Sequence, residues 1–406
     1  RQGYILRTKA DRDFFRKGKK VYFGDLHIHT NFSRCGYPNN GTIQENVIYA
    51  REIAKLDFIS ITDHAEHMDD RQYKEYVREI EKENKEGEFV IIPGYEWAGR
   101  GFPTCGHRNI YFRDSFGPIF RGDDPRYNLP GKLYTALKRI RKQKVIAPRH
   151  HTPYVNDWNS FDEILEPVIE IYSEWGNSES ADGPLVYKGK GRWKPWSGNY
   201  VQDGLIRGYK FGFIAGGDVH NTKPGDHGLT AVYCDRLTRS SIFDAIVKRR
   251  CYATTGAKIL VDFHVNGFPM GSVIFVKPNE WEKIFPIKIS CGVIGTANLK
   301  KIELMENNRV IYVHERWRGP SNQMAFCYII EDIQYFHRYY YVRIYYDQKT
   351  PDNVDPPATR VFLREDCREE MVFGKKLPSS FFIGCLLYTS DAADELDGVD
   401  LGGRRI

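Results

Sequence analysis

The sequence lacks any run of about eighteen apolar residues, so it offers no candidate for a membrane-spanning helix. It lacks a C-x-x-C pair among its 8 cysteines, which speaks against a zinc ribbon and against a disulfide-dense small domain. The thiols read instead as free and mostly buried. No concentrated basic run is present, and 59 Lys and Arg against 53 Asp and Glu leave a net charge of only +6. That balance tolerates an anionic substrate without demanding one, and it gives no nucleic-acid signal. There is no G-x-S-x-G elbow, no P-loop and no repeat at a solenoid period. With 41% hydrophobic and 28% charged residues, the chain is neither disordered, collagen-like nor a polytopic membrane protein. What is abundant is Gly (36), Tyr (26) and Phe (24), which favours turns and strands over a helical bundle. A length of 406 residues suggests two or three domains.

Along the chain one grammar repeats. Short apolar strands are predicted over residues 20–25, 57–62, 89–92, 145–147, 168–172 and 211–215. They run into polar tips at His27-Ile28-His29, Asp63-His64, Tyr95-Glu96, His150-His151, Ser173-Glu174-Trp175 and Asp218-Val219-His220. Thr42 and Glu45 form a capping box that opens a helix to about residue 55. Charged and basic amphipathic helices are predicted over 70–86 and 133–142. This is the grammar of a β/α barrel with its site at the carboxyl ends of the strands. From residue 259 the pattern changes to alternating strands, as at 260–265 and 339–345, which predicts an antiparallel, sandwich-like β domain over 259–380. The Gly-, Ser- and Trp-rich stretch 176–199 reads as a lid, a substrate loop or a surface insertion. Residues 1–19 read as the N-terminal extension of a truncated chain. Residues 385–406 resemble a translated sequencing adapter and are expected to be non-native.

Nine of the 12 histidines precede residue 230: 27, 29, 64, 67, 107, 150, 151, 220 and 227. Five of them, His27, His29, His64, His150 and His220, occupy polar tips after predicted strands. On a strand, residues i and i+2 face the same way, so His27 and His29 can reach one ion. Asp218-Val219-His220 repeats that spacing with a carboxylate. Glu96 ends a buried strand, where an unpaired carboxylate is costly and a bridging role between two cations would resolve the cost. Imidazole with carboxylate suits Zn, Mn or Fe. His107 falls on a predicted loop, and His67 reads as a surface residue.

The set His27-x-His29, Asp63-His64, Gly94-Tyr95-Glu96, His107, His150 and Gly217-Asp218-x-His220 resembles the PHP (polymerase and histidinol phosphatase) family over about residues 20–258, in motif order. The stretches 22–27, 106–109 and 250–256 resemble more narrowly a PHP-like subgroup known only as a domain of unknown function, in which a β-sandwich-like region follows. The resemblance implies a distorted (β/α)7 barrel holding two or three divalent transition metals. It implies one metal on His27, His29, Glu96 and Asp218, and a second that shares Glu96 and adds His107 and His150. A third would take His64, His220 and the position of Cys35, where the family usually has Asp or His and where a thiolate would serve zinc. His150 is the expected ligand of its pair. His151 is its alternative, and otherwise a substrate contact or packing residue.

Clustered cations let bound water ionise near neutral pH and polarise a phosphoryl oxygen, so no Ser or Cys nucleophile is required. The expectation is hydrolysis of a phosphate mono- or diester, in a small molecule or a polymer, by a metal-bridging hydroxide. Asp218 counts among the catalytic residues as well as the ligands. Arg108 and Arg149 would grip phosphate, and His227 would protonate the leaving group. Asp25 would orient an imidazole, Glu174 faces the same rim, and Trp175, Trp193 and Trp196 would line a pocket or pack. Two alternatives stand beside this. One is an amidohydrolase-type hydrolase of a C–N or C–O bond, against which Glu96 and Asp218-x-His220 speak. The other is a non-catalytic, metal-stabilised binding protein. No polymerase region is present.

Overall fold

A computed structural model describes residues 20–36, 38–99, 106–140, 142, 144–154, 156–183, 185, 195–274, 286–315, 321–331, 338–346 and the backbone of 380–384. The 1–19 extension, the 385–406 tail, Trp193 and the rest of the 186–194 stretch lie outside the described residues. In chain order the first region contains β1 (Lys20–Ile28), β2 (Phe58–Ile61), β3 (Val90–Ile91), β4 (Gly94–Ala98), β5 (His107–Phe112) and β6 (Val145–Ile146). It continues with β7 (Arg149–His150), β8 (Val168–Ser173), β9 (Gly176–Asn177), β10 (Gly212–Ala215), β11 (Leu229–Cys234) and β12 (Cys251–Thr254). Among the described residues these strands do not close into the expected barrel. They form a five-stranded sheet in the order β12-β11-β1-β2-β3, a three-stranded sheet β10-β8-β9, and a sheet of β4, β5, β6 and β7. The short β3, β6 and β7, two residues each, leave too little ladder to join neighbouring sheets.

The repeated grammar survives in the local elements. β1, β2 and β3 run parallel, and the largely apolar β2 and β3 are buried on both faces. Thr42 caps the helix Ile43–Ile48, its hydroxyl accepting from the Glu45 amide at 3.2 Å while Glu45 accepts from the Thr42 amide at 2.7 Å. The chain then widens into a π turn over Tyr49–Ile53. Asp69 and Gln72 cap the helix Asp70–Glu83, which stops short of the expected residue 86 because Asn84 is extended. The third helix begins earlier than predicted, at Pro130, since proline suits the first helical turn. Ile43, Val47, Tyr76 and Ile80 from the first two helices bury against Ile59, Ile61 and Ile91. Each such side chain contributes about 1.5–3 kcal/mol.

The remainder is antiparallel: β13 (Leu260–Val265), β14 (Phe268–Pro269), β15 (Ile287–Ile294), β16 (Leu299–Glu306), β17 (Arg309–Glu315), β18 (Gln323–Ile330), β19 (Tyr340–Tyr346) and β20 (Ser380–Gly384). They make two sheets, β14-β13-β15-β18 and β17-β16-β19-β20. One apolar cluster takes Val261, Phe263 and Ile289 from the first, Ile302, Leu304 and Val342 from the second, and Phe23, Tyr233 and Tyr252 from the preceding region. Buried Glu179 fixes the two regions together, accepting from Tyr341 Oη at 2.8 Å and Arg343 Nη2 at 2.9 Å.

Candidate metal centre

The polar ends of β1, β2, β4, β5 and β7, with the loop after β10, converge on one cavity of about 240 Å³. His29, Cys35, His64, Glu96, His107, His151, Tyr154, Trp175, Asp218 and His220 line it, and His27 and His150 lie behind them at the floor. Strand register explains the convergence. β5 pairs antiparallel with β4 and β7, so His107 stands directly opposite His150, next to Glu96. His107, expected on a loop, therefore opens a strand. A register irregularity between β1 and β2 at residues 25–28 falls where His27 must be aimed. Gly216 lets the loop after β10 pass directly over it: a Cβ there would lie 2.4 Å from the His27 Cβ.

Glu96 divides its two oxygens between two sets of imidazoles. Oε1 is 2.8 Å from His107 Nδ1 and 3.0 Å from His150 Nε2. Oε2 is 3.3 Å from His29 Nε2 and 3.5 Å from His27 Nε2 and from His64 Nδ1. Asp218 Oδ1 is 3.1 Å from His29 Nε2 and 3.4 Å from His27 Nε2, and its Oδ2 is 2.7 Å from His151 Nε2. Atoms about 2.1 Å from a shared ion, at angles between octahedral and tetrahedral, stand about 3.0–3.4 Å apart. Four of the eight separations fall in that range, and the others, at 2.7, 2.8 and twice 3.5 Å, lie close to it.

The second nitrogen of each ring fits the same picture. His27 Nδ1 donates to Glu170 Oε2 at 3.0 Å, which leaves the lone pair of its neutral ring on Nε2. That Nε2 is buried and has no hydrogen-bond partner. Ser33 hydrogen-bonds Asp63 and its Oγ accepts from the His64 amide, so His29 Nδ1 donates to it at 3.1 Å and Nε2 faces the two carboxylates. His220 Nδ1 donates to the Asp218 carbonyl at 3.0 Å and lies 3.4 Å from Glu174. Buried His150 Nδ1 also has no partner. Lone pairs facing carboxylate oxygens at these distances require a cation between them, either a proton or a metal ion.

The ionisation of the groups follows. Burial alone would lower His27 and His29, but Asp218 with Glu170, and Asp218 with Glu96, hold these imidazoles well above their usual value. Burial would raise Glu96 and Asp218, yet the surrounding histidines hold both well below the usual carboxylate range. Burial and the neighbouring His27 and His151 keep His150 neutral. Burial raises the Cys35 thiol, but hydrogen bonds from His220, His64 and His67 bring it to about 3. Three overlapping groups have ligand atoms within 4.8 Å of one another: His27, Glu96 and His150; His27, His29 and Asp218; and His29, Cys35 and His64. The donor set therefore fits divalent transition metals, which would take the place of the protons.

Other expected residues fall elsewhere. Arg108 and Arg149 are 0% and 1% exposed and point away from the cavity. Each neighbours a site histidine on a strand, so its side chain projects from the opposite face. Arg149 Nη2 donates to Glu166 Oε1 at 2.6 Å, and Arg108 Nε donates to Tyr134 Oη at 2.9 Å. They are structural, not phosphate grips. His227 lies beyond Glu174, 4.0 Å from it, and does not line the cavity. Asp25 takes up backbone amides of His27, Gly217 and Gly225 rather than an imidazole. His151 would follow Arg149 to the far face on a continued strand, but a positive φ of 52° turns it back to Asp218, itself at φ 50°. Trp175 stands against His151, with ring centroids 5.8 Å apart, whereas Trp196 is exposed. Glu170 escaped sequence reading. Its signal was a lone carboxylate inside the apolar run Val168–Ser173.

Residues 221–271 match the model of a family described as Protein of unknown function (DUF3604). An uncharacterized protein of Chlamydia trachomatis is 29% identical over 335 residues, 76% of this chain and 52% of that protein. One of Chlamydia pneumoniae is 27% identical over 300 residues, 70% of this chain and 47% of that protein. The chain thus spans about half the length of these curated relatives. The crystal structure of a two-domain protein from Bacteroides vulgatus, containing a predicted PHP-like metal-dependent phosphoesterase, is similar over 86% of this chain and 91% of that one, with 17% identity and a TM-score of 0.43.

Proposed function

We propose that the chain is a metal-dependent hydrolase of phosphate esters, with its site in residues 20–258 and a β region over 259–380 that buttresses it. The observation that carries this reading is Glu96, which turns one oxygen to His107 and His150 and the other to His27, His29 and His64. A carboxylate so shared suits two adjacent ions, the arrangement that serves in-line displacement at phosphorus. His27, His29, Glu96 and Asp218 would hold one ion, and Glu96, His107 and His150 a second. Bound there, zinc, manganese or iron would supply Lewis acidity toward a phosphoryl oxygen and lower the pKa of water.

The chain's own residues do the rest. Glu170 and Ser33 fix the tautomers of His27 and His29, so both present Nε2 lone pairs inward. Tyr154 and Trp175 form an apolar wall that excludes water beside the ligands and gives a planar leaving group a face to rest on. His151, held by Asp218, closes the same wall. The chain is tested by stripping it with chelator, reloading it with Zn²⁺ or Mn²⁺, and assaying a panel of phosphate mono- and diesters. Turnover that returns with metal and is lost in Asp218→Asn is expected. A fully loaded chain that hydrolyses no member of the panel contradicts the proposal.

A further inference from the structure

Each sheet of the β region ends in two outer strands, and most of these are guarded against pairing with another chain. β14 is two residues long and contains Pro269. β20 lies against β10 and β12. β17 slips in register between Leu304 and Met305 of β16, and it is charged at both ends, by Arg309 and Glu315. Short length, proline, irregular register and charge are the devices that blunt a sheet edge. β18 has none of them. Its eight residues, Gln323–Ile330, include no charge, proline or glycine, and its register with β15 is unbroken. Among the described residues nothing pairs with its outer edge.

The ladder fixes which groups face that edge. Residues along an antiparallel strand turn their amide and carbonyl alternately to one neighbour and to the other. At one end of β18 the Asn322 carbonyl accepts from the Gly295 amide at 2.7 Å, so the next residue, Gln323, faces away from β15. At the other end the Lys288 carbonyl accepts from the Asn266 amide at 2.7 Å, so Ile329, the partner of Lys288, also faces away. Gln323, Ala325, Cys327 and Ile329 thus present their backbone groups outward. Met324 and Phe326 are buried in the sandwich, and Tyr328 packs against the same cluster. The Tyr312 ring of β17 lies 5.1 Å from Phe326 and 5.0 Å from Tyr328 between centroids. The outer edges of both sheets therefore lie on the same side.

We propose that this edge is where a second copy of the chain docks: β18 pairs antiparallel with its own counterpart about a twofold axis at Phe326, normal to both sheets. That register uses every outward residue. Gln323 meets Ile329 of the second copy and Ala325 meets Cys327, and moving the axis by one residue either way loses one of these positions. On the inner face the axis sets Phe326 against its counterpart and Met324 against Tyr328, so the apolar core continues across the boundary. The second sheet supplies complementary charge. Because Tyr312 stands over Phe326, the same axis passes near Tyr312. Arg309 and Glu315 lie equally far from Tyr312 along β17, so each approaches the opposite charge of the second copy. A single patch that is complementary to itself in this way is what a twofold interface requires. The inference is independent of the metal centre.

The test is sedimentation equilibrium of the full chain over a concentration series, with far-ultraviolet circular dichroism to confirm folding. The wild type is expected to be a dimer. Ala325→Pro removes an outward amide and no bond to β15, so it should fold and raise the dissociation constant by about tenfold or more. Arg309→Glu and Glu315→Arg each set like charges against one another twice and should each raise it by about tenfold. The doubly exchanged chain should recover most of that loss, and this pair keeps the test decisive should the proline variant fold poorly. A monomeric wild type overturns the proposal. Slow hydrogen exchange at the Ala325 and Cys327 amides of such a monomer would show another segment of the chain on the edge. A dimer indifferent to Ala325→Pro, or weakened by the single reversals without recovery in the exchanged pair, also overturns it.

Discussion

Arg149→Met offers a sharp test of how the wall behind the centre is built. The Arg149 guanidinium is buried with Glu166: Nη2 lies 2.6 Å from Oε1, Nε contacts Oε2, and Nη1 reaches the Asp157 carbonyl at 3.2 Å. It also lies 4.8 Å from the Trp158 ring centroid. Glu166 is 0% exposed. Once Arg149 is truncated, Glu166 keeps Tyr134 Oη at 2.5 Å and the Asp162 amide at 3.2 Å as donors. Removing one partner of such a pair costs about 3–5 kcal/mol, because the remaining charge stays buried. That is about two to three and a half orders of magnitude in the folding equilibrium, by the relation of about 1.4 kcal/mol per factor of ten. Removing both charges, in Arg149→Met with Glu166→Leu, should recover about half of the loss or more, since an apolar replacement of a buried pair is often neutral. Urea unfolding of the four chains, followed by far-ultraviolet circular dichroism, measures each value and the coupling. An Arg149→Met chain within about 1 kcal/mol of wild type would refute the structural role and return Arg149 to the candidates for gripping phosphate.

Two further outcomes are expected. Glu170→Ala should weaken metal retention by about 10–100-fold, as loss of a partner to a ligating histidine does, while Glu170→Gln, which still accepts from His27 Nδ1, should retain more; equilibrium dialysis against a chelator reads the difference, and identical loss in both would contradict a positioning role. Burial lowers His314 from 6.5 to about 4. The unfolded chain therefore binds the extra proton between those values, and stability is fully present above about pH 6.5 and falls toward pH 4, by up to about 3 kcal/mol. His314→Gln should flatten that acid limb in pH-dependent urea midpoints, and an unchanged limb would contradict the assignment.

Much of the centre was legible because strand chemistry has short periods. His27 and His29 are two apart at the end of β1, and the structure aims both at Glu96 and Asp218. The same period exposes the error over Arg108 and Arg149. If His107 and His150 face inward on strands, their immediate neighbours cannot. His151 breaks that rule through a backbone φ of 52°, which no local pattern announced. Glu170 was hidden for the opposite reason. It sits mid-strand rather than at a polar tip, and its partner His27 is 143 residues away. β13 and β19 lie within a residue of where the sequence places them, but β19, read as alternating, is buried on both faces, with only Arg343 partly exposed. The expected barrel closure is not met among the described residues, because it depends on pairing between two-residue strands whose sequences carry no register signal.

The most direct test is the transition-metal content per chain, measured by elemental analysis on wild type purified without chelator and on Glu96→Ala. Glu96 faces both imidazole sets, so the wild type should carry at least about two ions and the variant should lose most of them. A folded wild type that arrives without metal and takes up neither added zinc nor added manganese would contradict the metal centre and, with it, the hydrolase.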